Sequence, residues 1–146
     1  MYQKQMTAGW GDMDFNAHMR NTAFLDKSAD VRMMYFAENG FPMSEFVRLK
    51  IGPVIMKDEI EYFREIHLLE EFSLHLAVAA LAEDGSRVSF NNAFYRNDGK
   101  LAARVTSLGG WLDLSTRKLT AAPPDLAKVL TKAPRSEDFR VIAGKP

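Results

Sequence analysis

From Thr22 to Asn39, apolar side chains recur at three- and four-residue spacing. Leu25, Ala29, Met33 and Phe36 form one stripe, and Phe24, Ser28, Val31 and Tyr35 form a second beside it. That period predicts an α-helix. Two adjacent stripes predict a helix with much of its circumference covered. Asn21 is the predicted N-cap, because its side-chain oxygen can accept an orphan amide proton of the first turn. Asn39-Gly40 predicts the stop, since glycine tolerates the left-handed conformation that ends helices. Pro42 discourages continuation.

Beyond the helix the period changes to two. Val54, Met56, Ile60, Tyr62 and Ile66 alternate with Lys57, Glu59, Glu61 and Glu65. Phe72, Leu74, Leu76 and Val78 alternate with Ser73, His75, Ala77 and Ala79. Val88, Phe90 and Phe94 alternate with Arg87, Ser89 and Asn91, and Leu101, Ala103, Val105 and Trp111 carry the pattern through a last strand. Asp84-Gly85 and Asn97-Asp98-Gly99 supply hairpin turns. Gly109-Gly110 predicts a bulge or a close backbone approach. Residues 2–10 hold a short first strand. Long antiparallel strands must curl as they twist, so the economical arrangement wraps the sheet around the apolar helix. The predicted class is α+β: a curled antiparallel five-stranded sheet around one long helix, in the order strand, helix, four strands.

After Ser115, prolines at 123, 124 and 134 punctuate the chain. Asp125 to Lys132 reads as a short amphipathic helix. The final dozen residues read as a tail ordered only where a partner or the sheet holds it. Residues 1–146 read as one domain, with a core of about 8–114 and an extension over 115–146.

Charge and composition narrow the chemistry. Lys+Arg and Asp+Glu both number 19, and a balanced surface draws neither nucleic acid nor an anionic membrane. A chain without net charge resists self-association only weakly, so a homo-oligomer is expected. There is no cysteine, which excludes disulfides, Cys-ligated zinc and thiol nucleophiles and fits the reducing cytoplasm. The opening MYQKQMTAGWGDMD lacks the charged start and apolar run of a signal peptide. No apolar run approaches the ~20 residues that span a bilayer. GxSxG, HExxH, GxxxxGK[ST] and GxGxxG are all missing from the sequence, so it shows no sign of a serine hydrolase, zincin, kinase or dinucleotide-dependent enzyme.

The informative segment is the loop before the helix, Trp10-Gly11-Asp12-Met13-Asp14, followed by His18 and Asn21. It places two carboxylates and an imidazole at a helix N-terminus, where unpaired amide protons and the positive dipole end gather. Such amides can polarise a carbonyl and stabilise an oxyanion. A nearby carboxylate can attack directly or activate water. Asp12 reads as a structural partner of loop amides. His18 reads as a brace or a substrate contact. A metal on Asp12, Asp14 and His18 lacks a further ligand in the sequence. His67 and His75 read as surface or sheet residues, and Met33, Met34 and Met56 as core filler or the lining of an acyl tunnel.

The run Trp10-Gly11-Asp12-Met13-Asp14-x-x-x-His18-x-x-Asn21-x-x-Phe24-Leu25 resembles the signature of hydroxybenzoyl-CoA thioesterase-like hotdog proteins. Glu59-Ile60-Glu61-Tyr62 and Lys118-x-x-Ala121-x-Pro123 are similar to that family too, and the likeness spans roughly residues 8–132. The resemblance implies a hotdog fold and hydrolysis of an acyl-CoA thioester. Asp14 would be the nucleophile or general base, and the amide near Asn21 would bond the thioester carbonyl. His18, Asn21 and Phe24 would contact substrate, and Arg117 and Lys118 would meet coenzyme A phosphates. Coenzyme A enters as part of the substrate, and no metal or other cofactor is required. The implied assembly is a homodimer joined sheet edge to sheet edge, possible as a dimer of dimers. The sequence departs from the commonest pattern at Ala17, where many members carry glycine, and at Arg20. Two other readings accompany this one. The first is a hotdog module that binds acyl-CoA without turnover. The second is an enoyl-CoA hydratase of the same fold, whose Gly-Asp-x-Asn-Pro-x-His motif this sequence lacks.

Overall fold

A computed structural model describes residues 1–145. The elements run β1 (Tyr2–Thr7), α1 (Asn21–Glu38), α2 (Met43–Leu49), β2 (Ile51–Tyr62), β3 (Glu71–Ala82), β4 (Arg87–Arg96), β5 (Leu101–Asp113), β6 (Lys118–Thr120), α3 (Pro124–Lys132) and β7 (Arg135–Ile142). The five expected strands form a sheet in the order β1-β3-β4-β5-β2, all antiparallel. α1 lies in its curl, the hotdog arrangement.

The alternating strand residues supply the core. Phe72, Leu74, Leu76 and Val78 of β3, Val88, Phe90 and Phe94 of β4, and Ala103, Val105 and Trp111 of β5 are all buried. Phe36 of α1 anchors the centre, meeting Phe46, Phe90 and Trp111 edge-on at centroid distances of 5.8, 6.1 and 5.9 Å. Each such aromatic adds about 0.5–1.5 kcal/mol per pair beyond its burial. The Trp111 indole N–H donates to the Gly85 carbonyl at 2.7 Å, tying β5 to the β3–β4 turn.

Several details differ from the pattern-based expectation. Only the stripe Phe24, Ser28, Val31 and Tyr35, with Ala23 and Phe36, is buried on α1. Ala29 is exposed and Leu25 and Met33 are half-buried, because one flank of the helix does not touch the sheet. Asn21 is the first helical residue and not the cap; Arg20 holds the cap position, and no side chain bonds the helix start. Met34 and Met56 are 37% and 42% exposed, so neither is core filler. β2 alternates in sequence yet is largely exposed, because it is the edge strand with one face and one side open. Met56 occupies the irregularity where the β2–β5 register shifts between Ile55 and Lys57. There Gly109 faces Ile55 in the ladder, and a Cβ at 109 would stand 2.6 Å from the Val54 carbonyl oxygen. The close approach read from Gly109-Gly110 is therefore real.

The sheet also gains two strands beyond the expected five. β6 pairs with the end of β5. β7 runs parallel to β3 on the half of its edge that β1 leaves open. The sheet itself thus orders the last segment. α3 buries Leu126, Val129 and Leu130, and the Tyr35 hydroxyl donates to the Val129 carbonyl at 2.7 Å. Among the described residues no helix is long and apolar enough to cross a membrane.

Candidate active site

Residues 13–19 form a miniature hairpin, closed by a bridge between Met13 and Met19. At its base the Met19 amide donates to the Ile66 carbonyl of the β2–β3 connection at 2.8 Å, and the Arg20 amide donates to the Asp12 carbonyl at 2.9 Å. Arg20 also donates through Nη1 to the Gly11 carbonyl and through Nε to Thr22 Oγ1 at 2.7 Å. The departure from the family pattern at Arg20 thus staples the loop to the first turn of α1. Ala17 sits at φ 62°, the left-handed region that favours glycine. Alanine there carries a modest backbone strain.

The two aspartates of the loop are treated differently. Asp12 Oδ2 accepts the Gly9 amide at 2.9 Å and lies 3.2 Å from Lys27 Nζ. It turns inward and braces the loop. Asp14 is exposed and points into the cleft. Its Oδ1 accepts the amides of Asn16 at 2.8 Å and His18 at 3.2 Å. Among the described residues nothing bonds Oδ2. One oxygen therefore fixes the carboxylate and the other is free for chemistry.

Around Asp14 lies a cleft of about 470 Å3, lined by Asn16, His18, Met19, Asn21, Phe24 and the segment Tyr62 to Glu65. His18, Asn21 and Phe24 come together with Asp14, as the sequence suggested. Phe24 forms the floor, edge-on to Tyr62 at 5.5 Å and to Phe94 at 5.0 Å. His18 Nε2 lies 3.0 Å from Glu65 Oε2, and its ring meets His67 at 5.2 Å. The imidazole is thus held against the β2–β3 connection. The first amides of α1 have no intrahelical acceptor, and no side chain caps them. Among the described residues those of Asn21 and Thr22 are left open beside the Asp14 carboxylate, while the Ala23 amide donates to the Arg20 carbonyl at 3.0 Å.

Arg117 and Lys118 are not part of this cleft in the same chain. Arg117 lies in the β5–β6 turn and Lys118 opens β6 opposite Asp113, which pairs with Ile51, whereas the cleft abuts Tyr62, which pairs with Ala103. Roughly 30 Å of ladder separates the two ends, at ~3.3 Å per residue. Sequence reasoning missed the contribution of Phe63, Arg64, Glu65 and His67. They follow the end of β2, and only the topology brings them to the loop.

A sequence profile of the thioesterase-like superfamily matches residues 8–130. The chain belongs to that superfamily. Solved structures reproduce the fold. A 1,4-dihydroxy-2-naphthoyl-CoA thioesterase from Synechocystis superposes with a TM-score of 0.81 at 12% identity, covering 90% of this chain and 96% of that one. A DHNA-CoA thioesterase from Staphylococcus aureus gives 0.81 at 15% identity, covering 89% and 88%. A hypothetical protein from the same organism, solved in complex with CoA, gives 0.79 at 19% identity, covering 99% and 94%. No curated protein matches the sequence.

Proposed function

We propose that this protein is an acyl-CoA thioesterase that hydrolyses a thioester to a free acid and coenzyme A. One observation carries the reading: a carboxylate fixed by two amides through one oxygen, with the other free, shares a cleft with an uncapped helix N-terminus. The thioester carbonyl would lie on the open amides at Asn21 and Thr22. Those amides and the helix dipole would stabilise the oxyanion formed on attack. Asp14 Oδ2 would either attack the carbonyl carbon, releasing the coenzyme A thiolate and leaving a mixed anhydride for water to open, or take the proton of an attacking water. Phe24 and Tyr62 would pack the acyl carbons next to the thioester, and His18 would hold the wall opposite Asp14. Coenzyme A is part of the substrate, and the scheme uses no metal or redox cofactor.

The reading includes a homodimer. β2 leaves an open edge with Ile55, Met56, Tyr62 and Phe63 exposed, and an exposed apolar edge is a template for pairing. Read antiparallel against a second copy about Glu59, β2 sets Lys57 opposite the copy's Glu61 and Ile55 opposite its Phe63. A two-fold pairing of this kind is self-complementary. It also brings Arg117 and Lys118 of one copy toward the cleft of the other, where they would meet coenzyme A phosphates.

The test is hydrolysis of a panel of aromatic and aliphatic acyl-CoAs by the parent and by Asp14→Asn, which keeps the Oδ1 acceptor. A loss of ~100-fold or more with the melting temperature unchanged is expected. An equally active variant would place the chemistry elsewhere. Binding of acyl-CoA with no turnover by either protein would make the chain a binding module.

A further inference from the structure

Past the middle of α1, an apolar cavity of about 220 Å3 separates the helix from β2 and β5. Met33 and Phe36 of α1, Ile55 of β2 and Trp111 of β5 close around it, and Gly109 puts no side chain into it. This is the flank of α1 that does not touch the sheet, and a cavity larger than the ~150 Å3 that accommodates benzene has room for an organic group.

One lining group is not apolar. The Arg32 guanidinium lies over the Phe90 ring, 5.8 Å from its centroid. Nη1 donates to Ser107 Oγ at 3.3 Å, and Ser107 Oγ donates in turn to Asp58 Oδ1 at 2.6 Å. Among the described residues this is Arg32's one hydrogen bond, and no carboxylate comes within 4.0 Å of it. A guanidinium carries five N–H donors in a planar fork. Four find no acceptor among the described residues, at the wall of a cavity otherwise lined by apolar groups and open to solvent on the arginine's side. Burial pulls the Arg32 pKa below the ordinary guanidinium value, and Asp58 opposes that only in part. A half-buried guanidinium with free donors at the wall of an apolar cavity is a ready partner for a carboxylate.

We propose that this cavity receives the far end of the acyl group and that this end carries a carboxylate, held by the fork of Arg32 while the carbon chain lies against Met33, Phe36 and Trp111. The substrate class is then the coenzyme A thioester of a dicarboxylic acid. The proposal rests on the thioesterase reading. Arg32 stands three turns along α1 from Asn21, roughly 16 Å at 1.5 Å per residue. From the cleft of the same chain, the acyl group must therefore span a distance of that order. Asp58, linked to Arg32 through Ser107, helps to keep the guanidinium charged.

The test compares acyl-CoAs ending in methyl with those of equal length ending in carboxylate, over a series of lengths, for the parent, Arg32→Met and Arg32→Lys. The parent is expected to favour a carboxylate-ended member. Arg32→Met should lose on the order of 100-fold in kcat/KM on that substrate, as charge-assisted hydrogen bonds are worth, while its activity on methyl-ended substrates is kept. Arg32→Lys, which keeps the charge without the fork, should fall between. It also carries the comparison if Arg32→Met melts too low to use. A parent that prefers methyl ends, with a ratio that neither variant moves, overturns the proposal and leaves the thioesterase reading standing. If no thioester is hydrolysed, that reading fails, and calorimetry decides the cavity. Binding of a free dicarboxylate, but not the monocarboxylate of equal length, in an Arg32-dependent manner sustains it; equal or no binding overturns it. Dissociation of the assembly by Arg32→Met would show that a second copy's carboxylate is the partner, and that too overturns it.

Discussion

The two ends of the β2–β5 ladder differ in charge and in shape. At the Tyr62 end, the loop of Asp14, His18 and Glu65 cups a cleft under the open start of α1. At the Ile51 end, Lys50, Arg117 and Lys118 crowd a pair of tight turns. Both Lys50 and Arg117 take left-handed backbone conformations there, at φ 54° and 60°. One end has a carboxylate and amides suited to a thioester carbonyl, and the other has cations suited to phosphates. An acyl-CoA carries both a thioester carbonyl and phosphates, so on the proposed reading neither end alone would hold the whole substrate. In the proposed homodimer, antiparallel pairing of β2 with a second copy would lay these unlike ends together and build one site from two chains.

The strongest way to break that comparison is to remove the pairing. Met56→Lys places a charge on the exposed β2 edge and is expected to give a monomer by sedimentation, with hydrolysis falling by about tenfold or more. A dimeric Met56→Lys protein would show that another surface joins the copies. The pairing is sharpened by Arg117→Ala with Lys118→Ala, expected to raise KM for acyl-CoA about tenfold with little change in kcat, as lost uniform binding does. Mixing that variant with Asp14→Asn should regenerate intact sites, since one chain then supplies both cations and the other supplies Asp14. Mixtures no more active than their components would mean that each site lies within one chain.

Smaller effects separate the aspartates. Asp12→Ala should cost about 1–2 kcal/mol of stability in urea unfolding, by removing an amide acceptor and a half-buried ion pair, whereas Asp14→Asn should leave stability nearly unchanged. The smallest expected effect lies away from both ends, at His75 of β3. Burial, and then the amino terminus of Met1, hold its pKa below the ordinary value, so the fold favours the neutral ring. Its contribution is complete above the unfolded pKa of about 6.5 and is lost as pH falls through the depressed folded value. His75→Gln should flatten that acid-side slope in stability while leaving hydrolysis intact.

Much of this was legible in the sequence, for identifiable reasons. The change of period from 3.6 to two separates α1 from the sheet, and glycines at 85 and 99 mark turns that the structure builds with positive φ, at 70° and 82°. Asp14, His18, Asn21 and Phe24 fall in one contiguous run, so a local reading finds them together. What escaped is non-local. The burial of only one α1 stripe depends on where the sheet stops. The exposure of Met56 and Tyr62 depends on β2 being an edge, which alternation cannot reveal. Asn21 carries a residue type that favours the cap position, yet the chain enters the helix one residue earlier, at Arg20. The pairing of His18 with His67 required two loops to meet.

The parallel pairing of β7 with β3 has a consequence for synthesis. β3 leaves the ribosome with β1 already available to cover residues 71–76. The rest of its edge waits for Arg135–Ile142, so the final strand closes a contact of long sequence separation, the kind that forms late. During that interval the nascent chain exposes a strand edge at Val78 to Ala82, in the most apolar part of the sheet. Arg135 and Arg140 of the arriving strand carry charge to that edge, and charge on an edge discourages pairing with a neighbouring chain.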